Sequence, residues 1–119
     1  MKKRLIKVPM YQNNSKKGLT YVIEKQIPFK IKRIFFKCKF KEIGEHTNKI
    51  TNMAVICLSG KIKVYIKGKK LNKKFILSSP NKLLIIYKNE WRKIISSKKN
   101  SNAIFFASHK FLKDEYIYD

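Results

Sequence analysis

Acidic residues are scarce. Only 7 of 119 residues are Asp or Glu against 29 Lys and Arg, which leaves a formal net charge of +22. Glu42, Glu45 and Glu90 stand apart from one another, and Asp114, Glu115 and Asp119 form a short tail that reads as solvated. With only His46 and His109 beside them, there are too few ligands for a His-carboxylate metal site, so no metal is expected. Cysteine is rarer still. Cys38 and Cys57 lie in separate apolar, strand-like runs, with no C-x-x-C pair and no disulfide framework. They read as reduced, buried thiols behaving as small hydrophobes.

Glycine and proline number 4 and 3. No Gly-rich phosphate loop, G-x-S-x-G or H-E-x-x-H occurs, which excludes the common nucleotide-cradle, serine-hydrolase and zinc-protease signatures. No apolar run reaches the roughly 18 residues that span a bilayer. The start, MKKRLIKVPM, has no long apolar stretch behind its basic residues. No signal peptide is therefore expected, and the cytoplasm is the default compartment.

What is abundant is lysine. A charge of +22 raises the possibility of a non-specific nucleic-acid or anionic-surface partner. Arginine, the better reader of bases and phosphates, occurs only at positions 4, 33 and 92. The lysines are spread over the chain, and Asn and Ile are abundant too, as the codon bias of an AT-rich genome would produce. Such a field still steers small anionic substrates.

The patterning is that of β-structure. Residues 4–8, 20–24, 30–41, 51–58, 61–67, 73–77, 82–87, 91–96 and 103–108 read as strands. In 30–41 the set Ile34, Phe36, Cys38 and Phe40 opposes Arg33, Phe35, Lys37, Lys39 and Lys41. The run 51–58 is apolar throughout and is expected to be covered on both faces. Ser59-Gly60 before KIKVYIK reads as a hairpin turn, with Ile62, Val64 and Ile66 inward. Residues 11–18 and 97–102 read as polar loops, and only the tail 109–118 admits a short helix. Roughly nine or ten short strands, about ten residues apart, predict one all-β domain, an antiparallel sandwich or barrel.

The stretch 43–60, IGEHTNKITNMAVICLSG, draws attention as a site. It reads as a polar loop carrying Gly44, Glu45, His46 and Asn48, followed by the apolar strand. A histidine there suits proton transfer near neutral pH; the bland alternative is a solvated loop residue.

The order LTYVIEKQIPFKIKRIFF, GEHTNK, VICLSG, SPNKLLI, EWR, FFAS and DEYIYD closely resembles the small cupin-type (WxcM-like) sugar 3,4-ketoisomerases, over about residues 3–119. The resemblance implies a single cupin-like jelly-roll antiparallel β-barrel over residues 1–119 and a homodimer with exchanged N-terminal strands. It implies no cofactor and no obligatory metal. It also implies a pocket for dTDP-4-keto-6-deoxy-glucose, isomerised through an enediol by removal of the C3 proton and reprotonation at C4. The family loop Arg-Gly-x-His-Ala-His corresponds to Ile43, Gly44, Glu45, His46, Thr47 and Asn48. His46 then takes the place of the catalytic base, while Asn48 and Ile43 replace a histidine and an arginine. Phe35 stands where the family tends to carry tyrosine, and Lys17-Gly18 where it carries Arg-Gly.

Five substrate-binding candidates follow, each with a structural alternative. Asn48 is a ligand contact or a turn residue. Trp91 is a stacking platform or a core anchor. Arg92 is a phosphate partner or an ion-pair member. Lys17 is a diphosphate contact or one surface lysine among many, and Phe35 lines the pocket or packs the core. His109 reads as a surface residue. Three functions remain open: an isomerase of dTDP-4-keto-6-deoxyhexoses, a catalytically impaired nucleotide-sugar-binding or partner-binding protein, and a basic β-domain that binds nucleic acid non-specifically.

Overall fold

The computed structural model describes residues 3–12 and 16–118; Asp119 and the middle of the 11–18 loop lie outside it. Twelve strands and a short 3-10 turn make up its regular structure. They are β1 Leu5–Lys7, β2 Met10–Tyr11, β3 Thr20–Tyr21, β4 Arg33–Cys38, β5 Glu42–Asn48, β6 Met53–Ser59, β7 Ile62–Lys67, β8 Asn72–Leu77, β9 Lys82–Ile86, β10 Trp91–Ser96, β11 Asn102–Ala107 and β12 Tyr116–Ile117.

Two five-stranded antiparallel sheets face each other, ordered β1-β9-β6-β11-β4 and β12-β5-β10-β7-β8, with β2-β3 as a separate ribbon. From β4 onward nearly every connection crosses from one sheet to the other; only β7–β8 is a hairpin within one sheet. That path is the jelly roll the resemblance implied.

Period two decides which residues meet. Val55, Cys57, Ile62, Val64, Ile66, Phe75, Leu77, Leu84, Ile94 and Phe105 form the core between the sheets. A second cluster covers the outer face of the first sheet, where Val8, Ile23, Ile27 and Phe29 lie over Ala54, Ile56, Leu83 and Ile85. Residues 53–57 are accordingly buried on both sides, as their continuous apolar run predicts.

Several expectations are corrected. Ser59-Gly60 is no hairpin: β6 and β7 belong to different sheets, and the turn rolls the chain between them. Gly60 has φ +84°, and a Cβ there would come within 2.5 Å of Ser101 Oγ. The polar stretch at 43–48 is strand, not loop. The tail forms a 3-10 turn at Lys113–Glu115 and then β12, because Tyr116 and Ile117 pair with Asn48 and Thr47. Cys38 is exposed, since the outer face of edge strand β4 is uncovered; Cys57 is buried as expected. Glu90 is paired with Arg4 at 2.5 Å, and Glu115 is buried.

Candidate active site

Strand β5 carries the site because it is irregular. It pairs with β10 so that Arg92 faces His46 and Lys93 faces Gly44, leaving Glu45 as an extra residue in a bulge. Gly44 has φ +95° and Glu45 φ +59°. Without the extra residue, strict alternation would put Ile43 and His46 on opposite faces. With it, both line the interior cavity. Lys93 Nζ fixes the outer side of the bulge, 2.7 Å from Glu42 and 3.2 Å from Glu45. Gly44 is required twice over, since a Cβ there would meet the Arg92 carbonyl oxygen at 3.0 Å.

The cavity encloses about 490 Å³, within the range of small-molecule sites. Its wall combines Ile43, Met53, Ile86, Ile94 and Phe105 with Arg33, His46, Arg92, Tyr116 and Tyr118. The barrel is therefore not filled by aromatic side chains, and His46 is partly buried in its wall.

The imidazole is held on several sides. Tyr116 stacks on it with ring centroids 4.4 Å apart, and Tyr118 tilts against it at 5.8 Å. Nε2 lies 2.9 Å from Oδ1 of Asn48, which is completely buried. The Asn48 amide nitrogen is itself buried with no hydrogen-bond partner among the described residues. Burial lowers the His46 pKa, the neighbouring Arg92 charge lowers it further, and hydrogen bonds to Gly44 and Asn48 oppose them in part. The ring is thus neutral at neutral pH, the form a base requires.

Glu115 anchors this arrangement. It accepts from Thr51 N at 2.8 Å, Ile50 N at 3.0 Å and Thr51 Oγ1 at 2.5 Å. Burial pushes its carboxyl up, but these bonds outweigh burial and leave it below the usual range.

Two guanidinium groups share the cavity. Arg92 is 2% exposed, donates to the Glu90 carbonyl and is pushed down by burial to about 10, which keeps it a cation. Arg33 lies against Phe35 and Phe111, 5.3 and 5.8 Å from their ring centres, and its buried Nε and Nη2 have no hydrogen-bond partner among the described residues.

The sequence candidates separate clearly. His46, Phe35 and Arg92 line the cavity, and Asn48 stands behind His46 rather than in the wall. Phe35 does both things weighed for it: it stacks on Phe105 at 4.8 Å and lines the cavity. Trp91 does not line it; β10 alternates, so Trp91 points to the other face, beneath Lys67 Nζ at 5.1 Å. Lys17 is exposed in the connection between β2 and β3, outside this chain's cavity wall. His109 is half-buried, its Nδ1 2.8 Å from Ser108 Oγ. Arg33, Tyr116 and Tyr118 were missed as wall residues. Arg33 had a signal, being one of few arginines in a lysine-rich chain and in phase with Phe35. The tyrosines had none until β12 was known to pair with β5.

The family model described as FdtA: WxcM-like, C-terminal, matches residues 1–119. A sequence comparison with curated proteins returned no match. A 3,4-ketoisomerase from Helicobacter canadensis superposes with a TM-score of 0.89 at 28% identity, over 98% of this chain and 90% of that one. The sugar 3,4-ketoisomerase QdtA from Thermoanaerobacterium thermosaccharolyticum, in complex with TDP, gives 0.87 at 28% identity, over 97% and 86%. WlaRA, a TDP-fucose-3,4-ketoisomerase from Campylobacter jejuni, gives 0.85 at 30% identity, over 97% and 87%. The shared fold and the family match over residues 1–119 place this chain in the WxcM-like (FdtA) family.

Proposed function

We propose that the protein isomerises a dTDP-linked 4-keto-6-deoxyhexose to the 3-keto isomer, with His46 as the base at C3. The observation that carries this is the β5 bulge, which turns a neutral imidazole into a cavity also lined by two guanidinium groups. The family supplies the reaction class. The 4-keto group acidifies the C3 proton, and Arg92 beside the ring favours the enolate that follows its removal. The unpartnered nitrogens of Arg33 face ligand oxygens, and Phe35 and Phe111 keep that cation dry. Asn48 serves by holding His46 rather than by touching the sugar.

The protein acts as a homodimer with exchanged N-terminal segments. Ile34 and Phe36 on the outer face of β4 are 53% and 63% exposed, an apolar edge that a second copy covers. The β2–β3 ribbon shares no ladder with either main sheet, and exchange of this segment brings Lys17 to the partner's cavity. Light scattering at the mass of two chains supports the dimer; a single-chain mass removes it.

Incubation with dTDP-4-keto-6-deoxy-glucose tests the activity. Proton NMR is expected to show the carbonyl moving from C4 to C3. The second reading, binding without turnover, is favoured by Phe35 and Ile43, which present no titratable group to the cavity. Saturable dTDP binding with no isomer formed decides for it. Binding to DNA that collapses with salt and ignores dTDP marks the basic-domain alternative.

A further inference from the structure

Moving a carbonyl between neighbouring carbons needs proton traffic at oxygen as well as at carbon. The C3–H bond breaks, its electron pair forms the C3=C4 bond, and the carbonyl π pair moves to O4. O4 then gains a proton and O3 loses one; the pair returns, making C3=O, and C4 takes up a proton. One imidazole beside the carbons accounts for the carbon steps. The oxygen steps need a group that gives a proton to O4 and takes one from O3.

Few cavity residues suit that task. A guanidinium cation only donates and has no lone pair to take the proton from O3. Lys37 is exposed, and Tyr118 is 72% exposed at the cavity rim. Tyr116 is half-buried, lines the cavity and stacks on His46 at 4.4 Å. Its backbone is held firmly. Tyr116 pairs with Asn48 in β5, and the preceding Glu115 is tied to Ile50 and Thr51. A phenol both donates and accepts hydrogen bonds, so one hydroxyl can pass a proton to O4 and collect one from the adjacent O3, ending unchanged.

We propose that Tyr116 is the second catalytic residue of the site, carrying protons between the two sugar oxygens while His46 works at carbon. This rests on the isomerase reading above. Arg92, which lines the same cavity, steadies the negative charge that passes between them.

The test follows two reactions in deuterated buffer with dTDP-4-keto-6-deoxy-glucose: deuterium entry at C3 and formation of the 3-keto isomer. Tyr116→Phe keeps the ring stacking and removes only the hydroxyl. It is expected to slow isomer formation about 100-fold or more while C3 exchange falls much less. Tyr65→Phe, on the outer face of β7 and away from the cavity, is expected to leave both within about twofold. Wild-type rates of isomer formation in Tyr116→Phe overturn the role of Tyr116 alone. An equal fall in both reactions also overturns it, because that reports a displaced His46. If the unmodified protein shows neither exchange nor isomer, the isomerase reading fails first and the role of Tyr116 falls with it.

Discussion

The two halves of the barrel are built by the same alternation to opposite ends. Where β7 and β8 face β6 and β9, the buried inward side chains are apolar, Cys57 among them, and Ile62, Val64, Ile66 and Leu84 are fully buried. Where β4, β5 and β12 close the other end, the inward positions hold Arg33, His46 and Tyr116 around open space. The first half contributes stability by removing apolar surface from water. The second buries cations and an imidazole, which is costly unless partners are supplied. Arg92 has the Glu90 carbonyl and His46 has Asn48, while two nitrogens of Arg33 and the amide nitrogen of Asn48 have no partner among the described residues. The comparison therefore locates function in the half where packing is incomplete.

Substitutions can break that contrast, beginning with the largest effect. His46→Asn is expected to lower isomerisation by a factor of about 100 to 10,000 with little change in unfolding temperature. Leu84→Ala in the packed half should do the reverse, costing about 2–5 kcal/mol in chemical denaturation while leaving dTDP affinity near normal. If Leu84→Ala abolishes binding at a temperature where the variant is folded, the halves are not separable.

Gly44→Ala bears on both halves at once. The positive φ at Gly44 and the 3.0 Å approach to Arg92 predict strain of about 1–2 kcal/mol. The bulge should relax, and turnover should fall more than stability because His46 loses its aim. Thermal melts and steady-state rates on one preparation check this.

The pH dependence sharpens the account of the open half. Because the His46 pKa is lowered in the fold from 6.5, first by burial and then by Arg92, the acid limb of the rate profile should lie below pH 6.5. The sign for stability is the same. The contribution from a neutral His46 is complete above pH 6.5 and is lost as pH falls toward the folded-state value. Arg92→Met should move the acid limb upward; an unmoved limb would show that the Arg92 charge does not act on the imidazole. The smallest effect belongs to Trp91→Phe. Lying under Lys67 on the far face of β10, it should cost about 0.5–1 kcal/mol of stability and leave dTDP affinity within about twofold.

The packed half was legible in the sequence because its rule is simple. KIKVYIK and the apolar run at 53–57 follow strand periodicity, and their burial follows directly. The open half was less legible wherever a local exception sets geometry. Two consecutive positive-φ residues, Gly44 and Glu45, break the alternation of β5, so a strand reads as a loop. Ser59-Gly60 carries the residues of a tight turn, but nothing local says that the turn changes sheets. Trp91 and Arg92 are neighbours in sequence and face opposite ways, a choice fixed only by the pairing of β10 with β5 and β7. Glu115 looked solvated because its partners, Ile50 and Thr51, are 64 or more positions away.

A crystal structure of the His46→Asn variant soaked with dTDP-4-keto-6-deoxy-glucose would examine the arrangement most directly, since loss of the base lets the substrate persist. The sugar should lie between β4 and β5, its C3 within about 3.5 Å of the position of the missing imidazole and an anionic or carbonyl oxygen on Arg33 or Arg92. A nucleotide sugar bound elsewhere on the barrel, or seated in the cavity with C3 turned away from residue 46, would contradict it.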